Sequence, residues 1–150
     1  FFDCAGIESP GLSAAPDIGQ EIAAQVSGFL GLEEKPNFDP IRRGPVNPKS
    51  LSKEQWAALI EKEPAYGQII CRCEQVSEGE ILAAIRSPLG ARDLDGVKRR
   101  TRAGMGRCQG GFCAPRVMEL LARELGMAQN AITKSGKNSR MITAQGKTEV

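Results

Sequence analysis

Histidine is absent from the 150 residues, and that one absence removes several chemistries. Ser-His-Asp triads, Cys-His dyads, HExxH zinc sites, Cys/His zinc fingers and Rieske centres all require an imidazole. Aromatic residues are scarce at 5%, so there is no series of rings on which single-stranded nucleic acid could stack. Long apolar runs are missing as well. The longest stretch without a charged residue is Ile22 to Leu32, far short of the ~20 apolar residues that cross a bilayer. Neither sign of charge dominates, since 20 Lys and Arg face 18 Asp and Glu for a net +2, and the total gives no reason to expect a nucleic-acid partner. The sequence opens on Phe1, and the residues after it form neither a basic n-region nor a long apolar h-region. On that pattern no signal peptide is expected, and the chain is expected to begin inside a longer protein.

Hydrophobic residues make up 41% of the chain, enough for a modest core in one ordinary domain or two small ones. The opening FFDCAGIESPGL reads as a strand end entering a Gly/Ser/Pro turn, and Ile18, Ile22, Val26 and Leu30 then carry helical spacing. On that reading Cys4 is a buried strand residue. From Gly31 to Ser50 four prolines keep the backbone extended, as in a linker or draped arm outside any packed core. Ser52 with Gln55, and Ser77 with Glu80, have capping-box spacing and open two short helices, the first ended by Pro64 and carrying Trp56 as a packing anchor. Between them Gln68-Ile69-Ile70 is a brief strand. Asp93 is a candidate N-cap for a third helix, Pro115 sits at a first helical position of a fourth, and Gly126 stops it. Beyond Met127 the chain is a polar tail in which Ile132 and Ile142 could pair a weak hairpin. The expected architecture is mainly α with short strands. Its segments are 1–31 as a strand-turn-helix piece, 32–66 as linker and short helix, 67–127 as a domain of short helices whose loops hold the cysteines, and 128–150 as tail. No internal repeat is visible.

Chemistry concentrates in the cysteines. Five is an odd number, and four of them form two local pairs, Cys71 with Cys73 and Cys108 with Cys113, while Cys4 stands apart. Such grouping favours a metal or redox site over a secreted disulfide framework. Four thiols supply the ligand count of a tetrahedral zinc or of a [2Fe-2S] cluster; two disulfides or unligated thiols fit the same count. In an extended C-x-C both side chains leave on one face, which suits one iron of a cluster. Between Cys71 and Arg116 nine basic residues meet five acidic ones, a local +4. Four thiolates around an oxidised [2Fe-2S] core leave −2, which these cations and the glycine-rich backbone at Gly104, Gly106, Gly110 and Gly111 would stabilise. Arg107, next to Cys108, is expected to face the site. Arg99 and Arg100 are expected to point outward and dock an acidic partner.

The stretches IICRCEQVSEGEI and LDGVKRRTRAGMGRCQGGFC resemble the bacterioferritin-associated ferredoxin type of [2Fe-2S] domain, in the form appended to FAD-dependent glycerol-3-phosphate dehydrogenases and related oxidoreductases. The second pair is C-x4-C here, where the stand-alone ferredoxin form has C-x2-C. The resemblance implies a small helix-turn-helix fold in which Cys71, Cys73, Cys108 and Cys113 ligate the cluster. Upstream, GIESPGL resembles the last strand-to-helix turn of D-amino acid oxidase type FAD-binding domains, which implies that Gly6, Ile7, Gly11 and Leu12 lie against the flavin of the intact parent. No GxGxxG fold is present, so this chain alone is expected neither to bind FAD nor to turn over substrate.

The resemblance implies an electron-transfer module that passes electrons from flavin to an acceptor protein or a quinone-linked subunit. The competing reading is a structural or regulatory zinc or cluster module without redox turnover. The expected location is the cytoplasm, with any membrane association made through a partner.

Overall fold

The computed structural model describes residues 1–41, 44–144 and 146. The chain divides into two compact units, Phe1–Arg43 and Gly44–Val150.

The first unit is one helix, α1 (Gly11–Leu30), ended by Gly31 in a left-handed conformation. Ile18, Ile22 and Val26 form its half-buried stripe, as their spacing predicts, but Leu30, the fourth of that set, is exposed, and no residue of α1 is fully buried. Phe2 meets Phe29 edge to face with centroids 6.0 Å apart. The strand expected before the turn is not formed: residues 1–4 have no regular structure, and Cys4 is exposed rather than buried. A strand exists only through the hydrogen bonds of a neighbouring strand, and these residues pair with none among the described residues.

The second unit holds the core. α2 (Lys53–Lys62) and α3 (Glu78–Arg86) each begin with a complete capping box, Ser52 with Gln55 and Ser77 with Glu80, so two orphan amides are satisfied reciprocally at each start. α4 (Leu94–Thr101) is capped by Asp93, whose carboxylate accepts from the Gly96 amide at 2.6 Å. α5 (Ala114–Leu125) has Pro115 in its first turn and ends at left-handed Gly126. A two-stranded antiparallel hairpin, β1 (Ile69–Cys71) and β2 (Val76–Ser77), precedes α3.

Ile81, Leu82 and Ile85 of α3, Val97 of α4, and Val117, Leu120 and Leu121 of α5 close on one another, each worth roughly 1.5–3 kcal/mol when fully buried. α3 is fastened to α5 at the surface too. Arg123 donates to Glu78 at 2.9 Å, and Arg86 grips Glu124 through two bonds of 2.6 and 3.0 Å.

Two segments expected outside the core carry buried residues, and one of them joins it. Pro48 is buried in a 3-10 turn (Pro48–Ser50) whose Asn47 caps the Lys49 amide, because a proline needs no hydrogen-bond partner for its nitrogen. In the tail, Ile132 is 1% exposed. Its neighbours hold the tail down: the amides of Leu94 and Asp95 donate to the carbonyls of Thr133 (3.1 Å) and Lys134 (2.8 Å). The weak hairpin amounts to one bridge, Thr133 with Arg140. Trp56 is half-buried, its indole nitrogen donating to the Tyr66 carbonyl at 3.3 Å.

Candidate metal centre

Cys71 ends β1 and is buried, while Cys73 lies exposed in the hairpin turn that comes next. The extended C-x-C geometry expected from the spacing is therefore not adopted. β2 starts at Val76, so residues 72–75 must reverse the chain, and Gln75 takes a positive φ of 48° to do so. The turn is pinned from two sides. Lys49 Nζ donates to the Glu74 carbonyl at 2.6 Å, and Arg102 Nε donates to the Glu74 carboxylate at 2.8 Å.

The second pair sits on the loop between α4 and α5. Arg102 closes α4 in a left-handed conformation, and Gly104 (φ 88°) and Gly110 (φ 85°) use the backbone freedom that only glycine has cheaply. Gly106 is required for a different reason: a Cβ there would lie 2.3 Å from the Cys73 Cβ. That contact lets the loop lie directly against the hairpin turn. Cys108 is half-exposed, and buried Cys113 occupies the N-cap position of α5.

The four sulfurs line one cleft, paired across the two loops. Cys73 Sγ and Cys108 Sγ are 3.5 Å apart, and Cys113 has the buried Cys71 as its neighbour. One pair faces water and the other faces the core. Their acidities diverge accordingly. The Cys108 thiol is held below its ordinary value by its bond with Cys73 and by the backbone amides of Phe112 and Gly110. Cys113 is pushed up to about 11, because burial and then the neighbouring Cys71 disfavour its thiolate and outweigh the helix N-terminus at which it sits.

This arrangement fits a binuclear cluster in its chemistry. All five cysteines are free thiols, backbone amides point at Cys108 sulfur, and three arginines (Arg72, Arg107, Arg116) border the cleft. Thiolates in two pairs suit a group that supplies its own bridging sulfides.

Arg107 borders the cleft as the sequence implied. Arg100 does not point freely outward, since its guanidinium donates to the carbonyls of Leu89 (2.8 Å) and Gly96 (3.1 Å). Phe112, 85% exposed at the cleft, was not expected at the site; its signal was a lone aromatic inside a glycine-rich loop between two cysteines. In the first unit, Gly6 has φ 75°, Gly11 opens α1 with its Cα side against Ile7, and Ile7 and Leu12 are exposed.

Residues 69–123 match the family model of the BFD-like [2Fe-2S] binding domain. The whole chain is similar to part of the glycerol 3-phosphate dehydrogenase of Caloramator mitchellensis, 49% identical over 151 aligned residues that are 100% of this chain and 32% of that relative. It is 46% identical over 70 residues to one subunit of the anaerobic glycerol-3-phosphate dehydrogenase of Escherichia coli, 47% of this chain and 13% of the relative. It is 48% identical over 58 residues to the hydrogen cyanide synthase subunit HcnB of Pseudomonas aeruginosa, 39% of this chain and 12% of the relative. The chain thus spans about a third of the longest-matching of these relatives and much less of the others. No solved structure matches. Residues 69–123 thus match a BFD-like [2Fe-2S] binding domain, in a chain similar along its whole length to part of a glycerol 3-phosphate dehydrogenase.

Proposed function

We propose that the second unit is an electron-transfer module of a larger FAD-dependent dehydrogenase, with glycerol 3-phosphate as the parent's substrate. Cys71, Cys73, Cys108 and Cys113 would hold the [2Fe-2S] cluster, which when bound accepts and donates single electrons. The observation that carries this reading is the gathering of four free thiols, two by two, in one cleft bordered by arginines. The protein supplies charge neutralisation at that border, amide donors to Cys108, and a buried floor at Cys71 and Cys113 that keeps water from half of the ligand set.

The first unit is read as the end of the flavin domain, with Gly6, Ile7, Gly11 and Leu12 toward FAD. The partners on this reading are the remainder of the flavoprotein and an acceptor protein or quinone-linked subunit. No helix among the described residues is long and apolar enough to cross a membrane. Five free thiols suit a reducing compartment.

Anaerobic purification tests the reading. A brown chain absorbing between roughly 400 and 600 nm, with about two irons and two sulfides per chain, is expected, and serine at any one of the four cysteines should strip most of the iron while Cys4→Ser keeps it. A colourless chain with one zinc would support the structural module instead.

A further inference from the structure

We propose that the mouth of the cysteine cleft is the docking face for an acidic protein surface, steered by Arg72 and Arg107 and anchored by Phe112. The proposal rests on the reading that the cleft holds the cluster, and it adds the chemistry of what covers the cleft.

The cleft is lined by three arginines and by no carboxylate. The nearby acids are engaged elsewhere. Glu74 is bound to Arg102, and Glu119 is bound to Arg116 at 2.5 Å. Arg72 and Arg107 make no ion pair among the described residues. Residues 44–150 carry 17 basic and 11 acidic residues, net +6, so a bound group of −2 leaves the unit cationic. A cationic face of this kind raises the encounter rate with an anionic one and fixes its orientation.

The same cleft carries Phe112, 85% exposed, and Ile69, 39% exposed. A ring left in water gains when a partner buries it, and exposed aromatics flanked by arginines have the composition of interface anchors. The rival basic face on α4 lacks this combination, because Arg100 is tied to backbone carbonyls.

The test uses the full chain and two forms of one probe, native cytochrome c, which is basic, and its succinylated form, in which lysines become carboxylates. Titration calorimetry at low salt should show binding of the succinylated form alone, with the affinity falling as salt rises. Arg72→Gln should weaken it several-fold, Phe112→Ala should weaken it also at higher salt where charges are screened, and Arg99→Gln should leave it unchanged. Hydrogen exchange should slow at residues 69–73 and 107–113 on binding. Equal affinity for the native form would overturn the proposal, as would a larger effect of Arg99→Gln, protection confined to 98–102, or equal competition by a DNA duplex with Phe112→Ala silent. Iron analysis of the same samples separates the two readings. A colourless chain that still binds fails the cluster reading alone, and a brown chain that does not bind fails this one alone.

Discussion

Replacing Gly106 by alanine is the sharpest probe of how the two cysteine loops are held together. The added Cβ would sit 2.3 Å from the Cys73 Cβ, with the Cys73 backbone at 3.5 Å. Carbon atoms pack at ~3.5 Å or more, so the loop and the turn must part by roughly 1.2 Å. Neither side yields easily. The atom struck is the first carbon of a side chain, and the turn behind it is pinned by Lys49 and Arg102 on Glu74. Overpacking of this kind costs about 1–3 kcal/mol, and at about 4–8 °C per kcal/mol for a unit near this size the unloaded chain should melt several degrees lower. The separation also exceeds the ~0.5 Å within which a ligand set must be held, so iron content after reconstitution should fall well below wild type. Gly28→Ala is the control, because no atom lies within 4 Å of its Cβ position in α1, and it should load iron normally. Full iron content together with an unshifted melting curve in Gly106→Ala would refute the close approach of the two loops.

Ile132→Ala should destabilise the chain by about 2–5 kcal/mol, as expected for a fully buried isoleucine, and a urea titration that shows much less would detach the tail from the core. In the unloaded chain, Cys113 keeps its proton in the folded state up to about 11 against an ordinary value of 9.0, so the unfolded state loses its proton first as pH rises. Its contribution to stability is complete below pH 9 and declines toward pH 11; the wild-type curve should fall more steeply across that window than that of Cys113→Ser, and parallel curves would contradict the burial argument. Arg107→Gln should lower the midpoint potential by tens of millivolts, within the ~59 mV that marks a tenfold change in a one-electron couple, and an unchanged potential would leave Arg107 a docking residue only.

The helix boundaries were legible because their signals are local. Ser52 with Gln55, Ser77 with Glu80, Asp93 before Gly96, Pro115 and Gly126 each act within four residues of themselves, and each stands where its spacing placed it, Pro115 one residue further into its helix. The four cysteines were legible as a set for the same reason. Their cross-loop pairing was not, since it depends on the hairpin reversal at residues 72–75 and on the loop lying against Cys73 at Gly106, contacts between positions more than thirty residues apart. Ile132 was read as tail because a single isoleucine among polar residues carries no periodicity; it joins the buried core cluster where the next residues, Thr133 and Lys134, accept from the α4 amides. Residues 1–4 failed in the opposite direction. Their apolar pattern favours a strand, and the missing ladder overrides it.

The hydrogen bonds from Leu94 and Asp95 to Thr133 and Lys134 have a consequence for the time course of synthesis. α4 carries its own cap at Asp93, but two further amides of its first turn are satisfied only by chain made much later, Lys134 lying 39 positions after Asp95. A ribosome adds roughly 5–20 residues per second, so this interval lasts roughly 2–8 s. Cys71 and Cys73 precede this interval and Cys108 and Cys113 are made within it, so all four thiols are in the chain before Ile132 is added. The core that holds Cys71 and Cys113 is therefore completed late, by Ile132, the last in sequence of its buried residues among the described ones.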